Sequence, residues 1–329
     1  MVQTSKTGAS VAGGFAALAF AAATWIATGV AAAAGSATPL PFTLKPIGPG
    51  VYAAIDGPRG QSGSNAGFII GDDGVLVVDS FFNPEATKAL IAEIRRLTPK
   101  PIRYVVNTHY HADHVGGDSV LRDAGAVIIA HRNVRGWVRT ENLHLFGDRI
   151  TPAMKAMVES LALPDLTTDT GLTIWLGARK VVVQAVLGHT GGDLVVRIPD
   201  AKVVFCGDIL WRHVSPNIID GDVARWIETV DALTSAPGGA ETTFVPGHGD
   251  TATVADVADF AGYLGDLTTL VRRERASGLS GDALVQAALP EFAKAHGDWT
   301  LFSHFAPLEL RFEDEELAGS KQRPRPAAD

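Results

Sequence analysis

The chain has 329 residues, 46% of them apolar, with 35 glycines and a single cysteine. That supports one or two globular domains with a sizeable core and excludes a scaffold built on disulfides. A formal charge of −8 argues against a nucleic-acid partner, which needs a basic surface to meet phosphate.

The first 34 residues differ from the rest. Lys6 is their only charge, residues 11–30 are Ala-rich and apolar, and residues 30–34 supply the small side chains a signal peptidase prefers. Residues 1–34 therefore read as a secretory signal peptide, which makes the protein periplasmic or secreted. The length of the apolar run leaves an uncleaved membrane anchor open, and no other membrane segment is expected. A lone cysteine suits an exported, disulfide-free protein.

Residues 35–312 carry the pattern of an α/β domain. Runs 51–55 and 67–70 read as strands flanking the Gly/Ser-rich segment 57–65, which reads equally as a flap or as a plain hairpin loop. Asp72-Asp73-Gly74 signals a tight turn into a third strand, 75–78, closed by Asp79. Helical spacing follows over 84–97, with Leu90, Ile91, Ile94 and Leu97 on one face.

The apolar run 102–106 reads as a buried strand leading into Asn-Thr-His-Tyr-His-Ala-Asp-His-Val-Gly-Gly at 107–117. Side chains two apart on an extended exit share a side, so His109 and His111 can converge on one point. Asp113 and His114, at a turn, can reach a second point nearby. Gly116 and Gly117 are expected to let the backbone fold back. Imidazoles with a carboxylate form the borderline ligand set that suits zinc.

A strand is expected at 126–130, then mixed helical pieces over 132–168 that read as a lid or pocket wall, or as a surface helix pair. Three strand-like runs, 181–186, 203–205 and 242–245, lead into Gly188-His189-Thr190, Cys206-Gly207-Asp208 and Gly247-His248-Gly249. Open α/β sheets place their ligands at such strand ends. Cys206 reads as buried core. His213, five residues past Asp208, reads either as a substrate contact and proton donor or as a packing histidine. A helix is expected at 223–233, and 254–312 is largely helical, its stripe of Val257, Phe260, Ala261, Leu264 and Leu267 facing the core. Residues 313–329 turn from acidic to Lys- and Arg-rich and read as a disordered, solvated tail.

The His-x-His-x-Asp-His cluster, followed in order by His189, Asp208 and His248, resembles the metallo-β-lactamase superfamily. The resemblance implies a four-layer αβ/βα sandwich with two zinc ions, or iron, at one edge of two facing sheets. It implies His109, His111 and His189 on the first metal, Asp113, His114 and His248 on the second, and Asp208 bridging them. Asp79 would support the ligands from behind. The implied function is hydrolysis of a small-molecule ester, lactone, thioester or amide by a metal-held hydroxide, with Asp113 and Asp208 as the catalytic carboxylates.

Asp208 stands where thiolate-type lactamases carry cysteine. It points instead to glyoxalase-II-like enzymes and to exported metallohydrolases found beside sulfur-oxidation and quinoprotein systems. A β-lactamase is the alternative among hydrolases. A mononuclear iron oxidoreductase of the persulfide dioxygenase kind is the alternative of another class. Nothing in the sequence sets an oligomeric state.

Overall fold

The computed structural model describes residues 39–57, 60–147, 150–235 and 239–326. The segment read as a signal peptide, 1–34, lies outside the described residues. One sheet holds seven strands in chain order: β1 (Phe42–Gly48), β2 (Val51–Asp56), β3 (Ala66–Ile70), β4 (Val75–Val78), β5 (Ile102–Val106), β6 (Val127–His131) and β7 (Leu166–Thr168). The first four pair antiparallel and β4 to β7 pair parallel. The second sheet runs β12 (Thr243–His248), β11 (Val203–Trp211), β10 (Asp193–Ile198), β9 (Arg179–Val186), β8 (Gly171–Leu176), with only β11 and β12 parallel.

The unbroken apolar run of β4 follows from burial on both faces. Val75 and Val77 join the core under the outer helices, while Leu76 and Val78 join the core between the sheets. From the second sheet, Val181, Val183, Leu194, Val196, Phe205 and Val245 complete that inner core. Helices α1 (Pro84–Leu97) and α3 (Asp118–Asp123) cover the first sheet through Leu90, Ile91, Ile94 and Leu121. Helices α7 (Val223–Thr234), α8 (Val254–Ala276), α9 (Gly281–His296) and α10 (Phe302–Leu317) cover the second. The result is the αβ/βα sandwich. Helix α1 starts where Asn83 accepts a hydrogen bond from the Glu85 amide at 3.0 Å, with Pro84 as its first residue. Each buried leucine or isoleucine on its inner face contributes roughly 1.5–3 kcal/mol.

Two expectations are refined. The segment from Glu313 is a solvated tail only in its later part: α10 continues to Leu317, Glu313 and Asp314 are buried, and Asp314 accepts the Gly281 amide at 2.8 Å, while most of 318–326 is exposed. Beyond it, Lys321 is buried and donates to the Ile218 and Gly221 carbonyls at 2.8 and 2.7 Å. The segment 132–168 forms a wall behind the histidine loop. Its helices α4 (Arg132–Trp137), α5 (Glu141–Phe146) and α6 (Pro152–Ser160) pack Val134, Trp137, Val138, Val158 and Leu161 against Tyr110, Ala112 and Val115, with α6 exposed along most of its length. Among the described residues, no helix is long and apolar enough to cross a membrane.

Candidate metal centre

The exit of β5 carries Asn107 to His111 into a four-residue helix, α2 (Ala112–Val115), so Asp113 and His114 sit on a helical turn. Asn142 on α5 holds this loop, accepting from the Ala112 amide at 2.9 Å and donating to the Tyr110 carbonyl at 2.7 Å. Gly116 and Gly117 have ordinary negative φ, so backbone freedom is not their reason. A Cβ on Gly116 would lie 2.2 Å from the Phe82 carbonyl oxygen, and one on Gly117 would lie 1.8 Å from Thr87 Oγ1. Close packing demands both.

His189 lies between β9 and β10, and His248 ends β12. Asp208 departs from the strand-end expectation, since it lies inside β11, which continues to Trp211. The pairing with β12 slips on either side of Gly207, whose φ is +52° and whose absent side chain leaves room for Thr108. The 57–65 segment is no flap where it is described. Buried Asn65 donates to the Pro246 and Gly249 carbonyls at 2.9 and 2.8 Å, and Ser64 donates to the Asp113 carbonyl at 2.6 Å. It clamps the His248 turn to the histidine loop.

The structure gathers all seven sequence candidates into two donor sets. One comprises His109, His111, His189 and Asp208, the other Asp113, His114 and His248, and within each set the ligand atoms lie within 4.8 Å of one another. His189 Nε2 stands 3.0 Å from His111 Nδ1 and 3.3 Å from Asp208 Oδ2. His248 Nε2 stands 3.2 Å from Asp113 Oδ2 and 3.5 Å from Asp208 Oδ2, and His114 Nε2 is 3.1 Å from Asp208 Oδ1. Asp208 thus faces both sets.

Asp79 accepts from the Thr108 amide and hydroxyl at 2.7 and 2.8 Å and meets His114 Nδ1 at 2.9 Å. With that nitrogen engaged, His114 turns Nε2 inward. Trp211 stacks on His248 at 4.1 Å, and Trp226 meets His189 edge-on at 5.1 Å.

Burial drives His109 well below the usual imidazole range and His189 down to about 3, so both present neutral lone pairs. Burial opposes the charged forms of Asp208 and His248 too. His114 first, and then His248, nevertheless hold the Asp208 carboxyl well below its ordinary value, and Asp208 with Asp113 pushes His248 up to about 9.

The donor set fits metal. Among the described residues, Nε2 of His109, His114 and His248 and Oδ1 of Asp208 are buried without a hydrogen bond of good geometry. Buried polar atoms of that kind are costly unless something accepts their lone pairs, and divalent cations do.

Two candidates lie elsewhere. His213 turns to the outer helices, with Nε2 3.3 Å from Asp259 Oδ2 and its ring stacked on Trp299. Cys206 lies buried in the core beneath those helices, its thiol pushed up to about 12 by burial. Sequence reasoning missed Asp220, whose Oδ2 lies 3.5 Å from His111 Nε2 and accepts from the buried Tyr110 hydroxyl.

The sequence pattern described as the metallo-beta-lactamase superfamily matches residues 59–248, more than half of the chain. The chain belongs to the metallo-beta-lactamase superfamily. Among curated superfamily relatives, the hydroxyacylglutathione hydrolases of Brucella ovis and Brucella abortus are each 30% identical over 146 residues, 44% of this chain and 47% of theirs. The chain thus spans about half the length of these curated relatives. Among solved structures, a metallo-beta-lactamase from Pontibacter korlensis aligns with TM-score 0.56 at 21% identity, over 68% of this chain and 99% of that one. A sec-alkylsulfatase from Pseudomonas sp. aligns with TM-score 0.66 at 18% identity, over 84% of this chain and 50% of that one. These likenesses show the superfamily fold.

Proposed function

We propose that this superfamily member is an exported dinuclear zinc hydrolase acting on the carbonyl of a small-molecule ester, lactone, thioester or amide. The observation that carries the reading is Asp208, whose two oxygens face two separate histidine-rich donor sets. His109, His111 and His189 would hold one cation and Asp113, His114 and His248 the other, with Asp208 between. Two divalent cations so held supply Lewis acidity and a water made nucleophilic near neutral pH. Asp113 sits partly open to solvent at the mouth, where its carboxylate can accept a proton from the attacking water and orient it. Buried Trp211 and Trp226 keep bulk water from the histidines behind. The relatives named hydroxyacylglutathione hydrolase make a hydroxyacylglutathione the first compound to try.

The test is elemental analysis of the mature protein, purified without chelator or added metal, followed by hydrolysis assays on hydroxyacylglutathione, lactones and β-lactams. Near two zincs per chain with turnover of a carbonyl substrate is the expected result, and an efficient β-lactam turnover alone would narrow it to a lactamase. About one iron, with oxygen uptake on a persulfide, would overturn it. Export rests on the Ala-rich run 11–30 and is tested by N-terminal sequencing of periplasmic protein.

A further inference from the structure

We propose that Asp220 is a positioning residue for His111 and that the C-terminal segment 320–326 is the strap that holds Asp220 in place. The inference rests on the metal-binding reading of the cluster but concerns residues outside it.

His111 Nδ1 faces His189 Nε2 at 3.0 Å, so its lone pair belongs on the cluster side. The ring proton then sits on Nε2, whose neighbour is Asp220 Oδ2 at 3.5 Å. A carboxylate in that position fixes the tautomer and the ring plane. Asp220 is itself fixed by the Tyr110 hydroxyl, which donates to the same oxygen. Tyr110 is fully buried, its ring lying between His111 at 4.6 Å and Trp137 at 5.7 Å.

The strap grips both sides of this pair. On the Asp220 side, Lys321 donates to the carbonyls of Ile218 and Gly221, and Arg323 donates to the Gly221 carbonyl at 3.0 Å and pairs with Asp222 at 3.1 Å. On the Tyr110 side, the Trp137 indole N–H donates to the Arg325 backbone carbonyl at 2.7 Å. Glu316, at the end of α10, anchors the strap by pairing with Lys321 and Arg323, both at 3.0 Å, and accepts the Val223 amide at 3.0 Å. Lys321 is only 3% exposed, so its ammonium depends on these partners. The Asp220 loop is otherwise tied to the site by the Asp222 amide, which donates to the Gly188 carbonyl beside His189.

The test is competitive Zn2+ titration of the full chain against a chromophoric chelator, which reads metal affinity without any substrate. Wild type is expected to bind two ions. Asp220→Ala is expected to weaken one of them by about 10–100-fold, leaving the other unmoved. Asp220→Asn, which keeps an acceptor oxygen, should recover most of the loss. Lys321→Met and Tyr110→Phe should weaken the same ion by smaller factors, whereas Arg325→Ala, which keeps the backbone carbonyl, should not. If Lys321→Met fails to fold, Arg323→Gln tests the same grip. Unchanged affinities in Asp220→Ala, or equal losses at both ions, would overturn the proposal while leaving the metallohydrolase reading intact. Absence of zinc binding by wild type would overturn both.

Discussion

The two halves of the cluster use the same kinds of residue in different surroundings. His109, His111 and His189 are buried among rings and apolar walls, and desolvation keeps His109 and His189 neutral. Asp113 and His248 keep 24% and 16% of their side chains exposed, and charge dominates there, with His248 pushed up by Asp208 and Asp113. One half is thus a rigid set of lone pairs, and the other is an ionic set open to exchange. A cation in the first would be held by geometry, and one in the second by charge.

The largest test of this contrast is Asp113→Ala against His213→Ala. On the two-ion reading, loss of Asp113 would remove both a ligand and the carboxylate that orients water, and activity should fall by about 10²–10⁴-fold. His213→Ala should stay near wild type, since that ring stacks on Trp299 away from the cluster. Equal losses would remove the two-ion reading. Next, Asp79→Ala should weaken the ion of the open half by about 10–100-fold, because His114 loses the acceptor of its Nδ1. Zinc titration resolves whether the closed half is spared. Graded chelation should then strip the open half first, giving a stable one-zinc form by metal analysis. Simultaneous loss would mean the halves do not differ.

A smaller effect sharpens the same point with a buried carboxyl that has no cation beside it. Among the described residues, Glu309, on α10, receives only hydroxyl donors, from Ser215 at 2.6 Å and Tyr263 at 2.6 Å, and burial pushes it up to about 8. The unfolded chain releases that proton near 4.5, and the folded chain keeps it to about 8. Glu309 therefore favours the fold at acid pH, and that contribution is lost as pH rises through about 8. Thermal melting from pH 5 to 9 should show wild type losing several degrees relative to Glu309→Gln. Parallel curves would refute the assignment.

The sandwich and the seven clustered residues were legible because their signals are local. The histidine motif occupies six consecutive positions, and β4, buried on both faces, reads as an unbroken apolar run. The supports were not legible, because each acts across a long separation and carries no pattern of its own. Asn65 binds a turn more than 180 residues away, and Asp220 reaches Tyr110 across 110 residues. The C-terminal segment was misread in part, for a related reason. Its charges look solvated by composition, but Lys321 is bound by backbone carbonyls, which no side-chain pattern reveals. Asp208 was found by motif although its placement was not, since the slip at Gly207 depends on the neighbouring strand.

The cluster is also a seam. The first sheet delivers His109, His111, Asp113 and His114, and the second delivers His189, Asp208 and His248. Any cation they share is a cross-link between the two sheets, and the sheets cannot part until it is released. Loaded protein should then owe its persistence to slow unfolding as much as to equilibrium stability, with the rate of metal loss as the clock.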